Sequence, residues 1–230
     1  MRVLMLNAGE PRDGGVPRLG GRGMSVLELS HALGQQGVDT TIVDVRRWPT
    51  GGRLGGDYDL VHSHGFQATW LGALRLAPWR RLPHVATLHG WLWDGAKNRA
   101  LNAVELRSLR HCQHVVVQNE QMRDRLVRKL GAAVPPVDVM PNGFDCPDDA
   151  AATALRRPGI SFVWVGRIAE EKRLDLAIEA LSWLDRGIDW TLDVIGPTYD
   201  PGSERRARRV VGERGVDSRV HWWGQQTAPW

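Results

Sequence analysis

Arg167 and Lys172 are the side chains of this sequence best placed to act on an anion. They belong to the run Val165-Gly166-Arg167-Ile168-Ala169-Glu170-Glu171-Lys172-Arg173. Before it stands an apolar, β-rich stretch, Ile160-Ser161-Phe162-Val163-Trp164-Val165. After it, Leu174, Leu176, Ala177, Ile178, Ala180 and Leu181 follow a helical spacing. A strand, a glycine turn and a helix start therefore meet, with two cations at the turn. The free N–H groups and dipole of a helix N-terminus favour anions. A guanidinium at 167 can hold two phosphate oxygens through parallel hydrogen bonds, and an ammonium at 172 adds a point charge. The pair predicts a clamp for a diphosphate, against the plainer alternative of a solvated basic helix end.

Histidines form the second set. In Asp59-Leu60-Val61-His62-Ser63-His64-Gly65, strand alternation sends His62 and His64 to one face and Ser63 to the other. A metal pair needs a third ligand at suitable spacing, and none stands nearby, so hydrogen bonding is the favoured role. His89 closes the strand Val85-Ala86-Thr87-Leu88, where such sheets carry function. Trp91 and Trp93 follow it and suit either stacking on an acceptor or core packing. Gly20, Gly21 and Gly23 let a backbone approach a ligand closely. Val26 breaks the G-x-G-x-x-G dinucleotide pattern, and no G-K-[ST] follows, which removes support for an NAD enzyme and a P-loop NTPase.

The elements that must position these groups alternate. Strands are expected at 3–7, 40–45, 60–64, 84–88, 115–117 and 137–140, with helices at 24–33, 67–76, 98–110 and 119–130. Asn119 is placed to cap the last of these helices. That order predicts an α/β fold whose first domain, 1–145, is a Rossmann-like parallel sheet with ligands at the carboxyl ends of its strands. Residues 146–158 are polar, alanine-rich and flanked by prolines, the composition of a linker. A second β/α unit, 159–230, is expected to hold strands at 160–165, 191–195 and 219–223 and helices at 172–186 and 203–214.

With 230 residues and 42% hydrophobic content, the chain can bury a sizeable core. The apolar opening Met1-Arg2-Val3-Leu4-Met5-Leu6 is too short for a signal peptide, and no run reaches the ~20 apolar residues of a membrane span, so a cytoplasmic address is expected. Cys112 and Cys146 stand far apart, without disulfide or zinc-ligand patterning. A net charge of +4 points to an anionic partner. Pro78-Trp79-Arg80-Arg81 and the basic helix 123–129 are candidate docking faces for an anionic membrane, or ordinary solvated surface. The arginine run 205–209 has no accompanying nucleic-acid reader motif, so no nucleic-acid partner is expected.

G-R-x-x-x-E-K at 166–172 resembles the donor-binding signature of glycosyltransferase family 4. The likeness continues through Gly20-Gly21 leading into Val26-Leu27-Glu28-Leu29, Asp59-Leu60-Val61-His62-Ser63-His64, Thr87-Leu88-His89-Gly90, Val117-Gln118-Asn119-Glu120, Val139-Met140-Pro141-Asn142-Gly143 and Arg219-Val220-His221-Trp222-Trp223-Gly224. These segments occur in family order along almost the whole chain. The resemblance implies a GT-B fold and transfer of a sugar from a nucleotide diphosphate sugar to a hydroxyl acceptor, with retention of configuration. Arg167 and Lys172 would neutralise the diphosphate leaving group and His89 would position the donor sugar. Gly20, Gly21 and Gly166 would bring backbone to the nucleotide sugar. It implies a glycan, lipid-linked or small-molecule acceptor, a possible peripheral membrane contact, no metal and no resident cofactor beyond the donor substrate.

Complete members of the family carry an E-x(7)-E motif beyond the last of these segments, so the resemblance marks this chain as a fragment with an incomplete second domain. Two alternatives stay open: an inactive relic or nucleotide-binding module, and a glycogen- or starch-synthase-like glucosyltransferase. The latter group usually carries a lysine where Leu19 stands.

Overall fold

Val3 and Met5 face one side of strand β1 (Arg2–Asn7) and Leu4 and Leu6 the other, and all four are buried. Burial on both faces is the signature of a strand inside a parallel sheet covered by helices. In the computed structural model, which describes residues 1–8, 12–13, 16–17, 21–46, 57–75, 82–90, 99–143, 159–184 and 187–226, β1 lies within a six-stranded sheet. The chain divides into two compact units, Met1–Asp145 and Cys146–Trp230.

In unit 1 a short antiparallel pair, β2 (Arg12–Asp13) and β3 (Val16–Pro17), follows β1. The main sheet adds β4 (Asp39–Asp44), β5 (Leu60–His64), β6 (His84–Leu88), β7 (His114–Val117) and β8 (Val137–Val139). Its order is β4-β1-β5-β6-β7-β8, with every neighbouring pair parallel. Helix α1 (Gly21–Gln35) lays Val26, Leu29 and Leu33 on Val3 and Met5. Helix α2 (Phe66–Arg75) packs Ala68 and Leu71 with Leu4, Leu6 and Val61. α3 (Arg99–Ser108) follows, and Leu126 and Leu130 of α4 (Glu120–Leu130) close a third cluster over Ala86, Leu88, Val115 and Val117. Burying each such side chain contributes roughly 1.5–3 kcal/mol.

The chain leaves β1 toward β4 and leaves β5 toward β6, in opposite directions. The strand order therefore reverses between β1 and β5, which opens a crevice at their carboxyl ends.

Unit 2 holds β9 (Ile160–Val165), β10 (Trp190–Ile195) and β11 (Val220–Gly224) in the parallel order β11-β10-β9. Trp190, Leu192 and Val194 point into a core formed with Leu174 and Ile178 of α5 (Leu174–Ser182) and Ala207 and Val211 of α6 (Pro201–Arg214). The opposite face leaves Val163, Val165 and Trp223 exposed.

Two boundaries differ from the sequence-based expectation. α1 starts at Gly21, so Gly21 and Gly23 are helical residues and not loop. The helix expected from 172 is shorter: a 3-10 turn, Glu170–Lys172, precedes it, and Arg173 at φ 51 breaks the path before α5 begins. A left-handed residue cannot continue a right-handed helix. Gly20, Trp91, Trp93, the run 78–81 and the whole linker 146–158 lie outside the described residues, although Trp79 and its neighbours were among the candidate surfaces. Among the described residues no helix is long and apolar enough to cross a membrane.

Candidate functional site

The polar side chains of unit 1 gather where its strands end. Asn7 closes β1, His64 closes β5, His89 follows β6, Gln118 follows β7 and Asn142 lies beyond β8. His64 Nδ1 and His89 Nε2 are 3.1 Å apart, and Gln118 Nε2 lies 3.2 Å from His89 Nδ1. Gln118 Nε2 also donates to Asn142 Oδ1. His62 Nε2 meets Thr87 Oγ1 at 2.8 Å. Its ring lies 4.2 Å from that of His64, centroid to centroid.

Ser63 turns to the opposite face as alternation requires. It bonds Thr69 Oγ1 at 2.8 Å and His84 Nε2 at 2.9 Å. Of the two histidines on the shared face, His62 thus bonds Thr87 and His64 bonds His89, while His64 Nε2 is buried without a hydrogen-bond partner. Among the described residues no group of three or more metal-ligating side chains occurs.

These imidazoles are neutral at physiological pH. Burial, with the neighbouring His89 and His84, holds His62 down at about 4. Burial and then the Arg22 charge hold His89 at about 4, and burial and then His111 hold His84 at about 4. Burial, His62, His89 and Arg22 push His64 lower still. Arg22 donates from Nη2 to Ala8 O at 2.7 Å. A Cβ on Gly65, whose φ is +85°, would lie 3.3 Å from Arg22 Nη1, so the guanidinium sits over the turn after β5.

Arg22 is a site residue that sequence reasoning missed, as are Gln118 and Asn142 in their contact with His89. A cation among the loop glycines was the available signal for the first. The other two stood inside motifs assigned to a helix start and a strand exit. The capping assignment itself holds: Asn119 Oδ1 accepts from Met122 N at 2.9 Å.

In unit 2 each strand ends in a glycine with positive φ: Gly166 at 157°, Gly196 at 143° and Gly224 at 65°. Gly196 N donates to Gly224 O at 2.7 Å and Gly166 N to Ile195 O at 2.9 Å. A Cβ on Gly196 would fall 1.9 Å from Gly166 O, so glycine is required there to let the two turns touch. Ile168 is then laced to the loop after β10, receiving Tyr199 N and Asp200 N at 3.0 Å each.

Arg167, on this laced turn, lies over the Tyr199 ring at 4.7 Å and meets Glu171 Oε1 at 3.3 Å. Lys172 closes the 3-10 turn, its N–H bonded to Ala169 O at 3.0 Å, and its ammonium has no bond to the described residues. The N-terminus of α6 is already satisfied, because Asp200 accepts from Gly202 N and Ser203 N at 3.0 Å each. The start of α5 has no side-chain cap. Of the starts of α5 and α6, only that of α5 therefore lacks a side-chain cap.

Part of each basic run is paired within its own helix. Arg208 pairs with Glu204 at 2.8 Å, Arg209 with Glu213 at 3.6 Å, and Arg123 with Glu120 at 2.5 Å. Cys112 is buried, which pushes its thiol up to about 12 and keeps it unreactive.

Residues 46–147 match the family described as Glycosyltransferase Family 4. A glycogen synthase of Mycobacterium tuberculosis is 31% identical over 140 residues, which are 56% of this chain and 33% of that protein. A 2-deoxystreptamine glucosyltransferase of Streptomyces kanamyceticus is 28% identical over 233 residues, covering 91% of this chain and 57% of that one. Among solved structures, Anabaena HepE in complex with UDP superposes with a TM-score of 0.70 at 17% identity. The match takes in 99% of this chain and 70% of that one. The chain thus spans about a third to just over half of the curated relatives it matches.

Proposed function

We propose, because this chain belongs to glycosyltransferase family 4 and has the GT-B fold, that its protein transfers a sugar from a nucleotide diphosphate donor to a hydroxyl acceptor with retention of configuration. The observation that carries this reading is the glycine-rimmed turn of unit 2. Three strands end in glycines, the first two turns packed directly against one another, and Arg167 and Lys172 stand on the connection that leaves the first of them.

Arg167 must give up Glu171 to hold a phosphate. Both partners of that pair are two-fifths exposed, and such a pair contributes only about 0–1 kcal/mol. A charge-assisted hydrogen bond to phosphate contributes about 1.5–3 kcal/mol, and a guanidinium can make two. The diphosphate wins that competition. Tyr199 remains beneath the guanidinium and keeps its plane oriented. With Lys172 the arginine neutralises charge that grows on the leaving diphosphate, which is stabilisation confined to the transition state.

In unit 1, His89 is a neutral imidazole at a strand end, suited to a sugar hydroxyl and not to a phosphate. Gly21, at the first turn of α1, offers backbone to the phosphate or acceptor. UDP bound to Anabaena HepE supports a nucleotide as the donor's handle. A glucan acceptor is the second reading, favoured by the mycobacterial glycogen synthase.

The test is calorimetric titration of UDP and UDP-glucose into the chain and into its Arg167→Ala and Lys172→Ala variants, paired with turnover in the complete protein. Each variant should lose at least about tenfold, or 1.4 kcal/mol, in affinity or turnover. Near-normal values in both sink the clamp.

A further inference from the structure

His89 has both ring nitrogens engaged by unit 1 itself, and the two contacts constrain each other. Gln118 Nε2 reaches His89 Nδ1 at 3.2 Å while the same amide nitrogen donates to Asn142 Oδ1. In this arrangement the Gln118 amide turns its nitrogen to both partners, and because an amide nitrogen only donates, that orientation makes His89 Nδ1 the acceptor and leaves its proton on Nε2. Nε2–H then donates to His64 Nδ1 at 3.1 Å. His64 in turn carries its proton on Nε2, which is buried without a hydrogen-bond partner. An orphaned buried donor costs about 1–3 kcal/mol. That cost falls at the far end of a chain whose direction is set at the near end, by the amide. The groups facing these rings are His62, stacked on His64, and the Arg22 guanidinium, and neither offers an acceptor that would set the order from the other side.

We infer that Gln118, oriented by Asn142, is a positioning residue that fixes His89 as the Nε2–H tautomer. This deepens the reading of His89 as a sugar contact and rests on it for its functional meaning. With the proton on Nε2, His89 presents a donor, and an incoming hydroxyl oxygen competes with His64 for it. With the opposite tautomer the same nitrogen presents a lone pair, and it can receive only a hydroxyl hydrogen. Gln118 thereby decides which half of a hydroxyl the strand end recognises, without touching the ligand.

The experiment is long-range proton–nitrogen correlation spectroscopy of the full chain labelled with ¹⁵N-histidine, at neutral pH and without ligand. His89→Gln and His64→Gln serve to assign the rings. The wild type should show His89 with Nε2 protonated and Nδ1 bare. Gln118→Glu supplies an acceptor in place of the donor and should invert the major species to Nδ1–H. Gln118→Leu supplies neither and should give both tautomers in exchange. A wild type with Nδ1 protonated overturns the inference without any variant. So does one unchanged tautomer across folded Gln118→Glu and Gln118→Leu. Should both variants fail to fold, Asn142→Leu frees the amide and must mix the tautomers, or the inference falls. Because the readout needs no nucleotide sugar, it is independent of the donor-binding titration: near-normal UDP affinity in both Arg167→Ala and Lys172→Ala with an inverted Gln118→Glu spectrum would remove the clamp and leave the positioning role standing.

Discussion

At the strand ends of unit 1 the polar groups are amides and imidazoles, the imidazoles held neutral by burial, by neighbouring histidines and, at His64 and His89, by the Arg22 guanidinium. At those of unit 2 they are arginines and carboxylates on an exposed turn, held in weak pairs over a rim of glycines. A sheet end lined by neutral rings distinguishes donors from acceptors and so suits hydroxyl groups. One lined by loosely held cations suits a diphosphate, because the existing ion pairs cost little to exchange. Two units built from the same β/α alternation therefore differ in the chemistry they can offer, and the difference lies in burial rather than in topology.

Acid should separate the units most strongly. For His62 and His84 the folded values near 4 lie below the unfolded 6.5. Their stabilising effect is therefore fully present above pH 6.5 and is lost as pH falls from 6.5 to about 4. At about 1.4 kcal/mol per pH unit, a single such imidazole is on the order of 3 kcal/mol, shared where rings couple. Hydrogen exchange at pH 7 and 4.5 should show amides of Val3–Leu6 losing protection while those of Leu192–Val194 keep theirs. Equal losses in both units would erase the contrast.

Next comes the glycine rim. Gly196→Ala sets a methyl against Gly166 O, at a φ that side chains rarely adopt. It should destabilise unit 2 by more than about 2 kcal/mol in a urea melt while leaving unit 1 amides unchanged. A smaller loss, near the Asn119→Ala value below, would mean that the turns can part freely. Of intermediate size is removal of the cap of α4: Asn119→Ala should cost about 1 kcal/mol, confined to unit 1. The smallest effect sharpens the account of the clamp. Glu171→Gln breaks an exposed pair and should change stability by less than about 0.5 kcal/mol. Nucleotide affinity should hold or rise; a clear fall would show that Glu171 orients Arg167 for the ligand instead of merely holding it in reserve.

Much of this architecture was readable because strands buried on both faces leave continuous apolar runs. β1 and β7 stand where the runs 3–6 and 115–117 put them, and Asn119 caps α4 as its residue type suggests. Helix boundaries near glycine and arginine were harder. Gly21 and Gly23 read as loop because glycine weakens helices, yet Val26 packing on Val3 and Met5 draws the helix back to Gly21. Arg173 gave no sign of its left-handed backbone, since arginine has no preference for it.

What the sequence determined alone is local: the β/α order, the cation pair after β9, and the shared face of His62 and His64, each set by periodicity or by neighbours along the chain. Only tertiary structure could decide the rest. Arg22, His64, His89, Gln118 and Asn142 come from separate β/α connections, and parallel strands bring their ends together by pairing residues far apart in the chain. The protonation of those rings is likewise a property of the assembled sheet. Burial and the electrostatic field of neighbours set it, and neither exists until the strands have met.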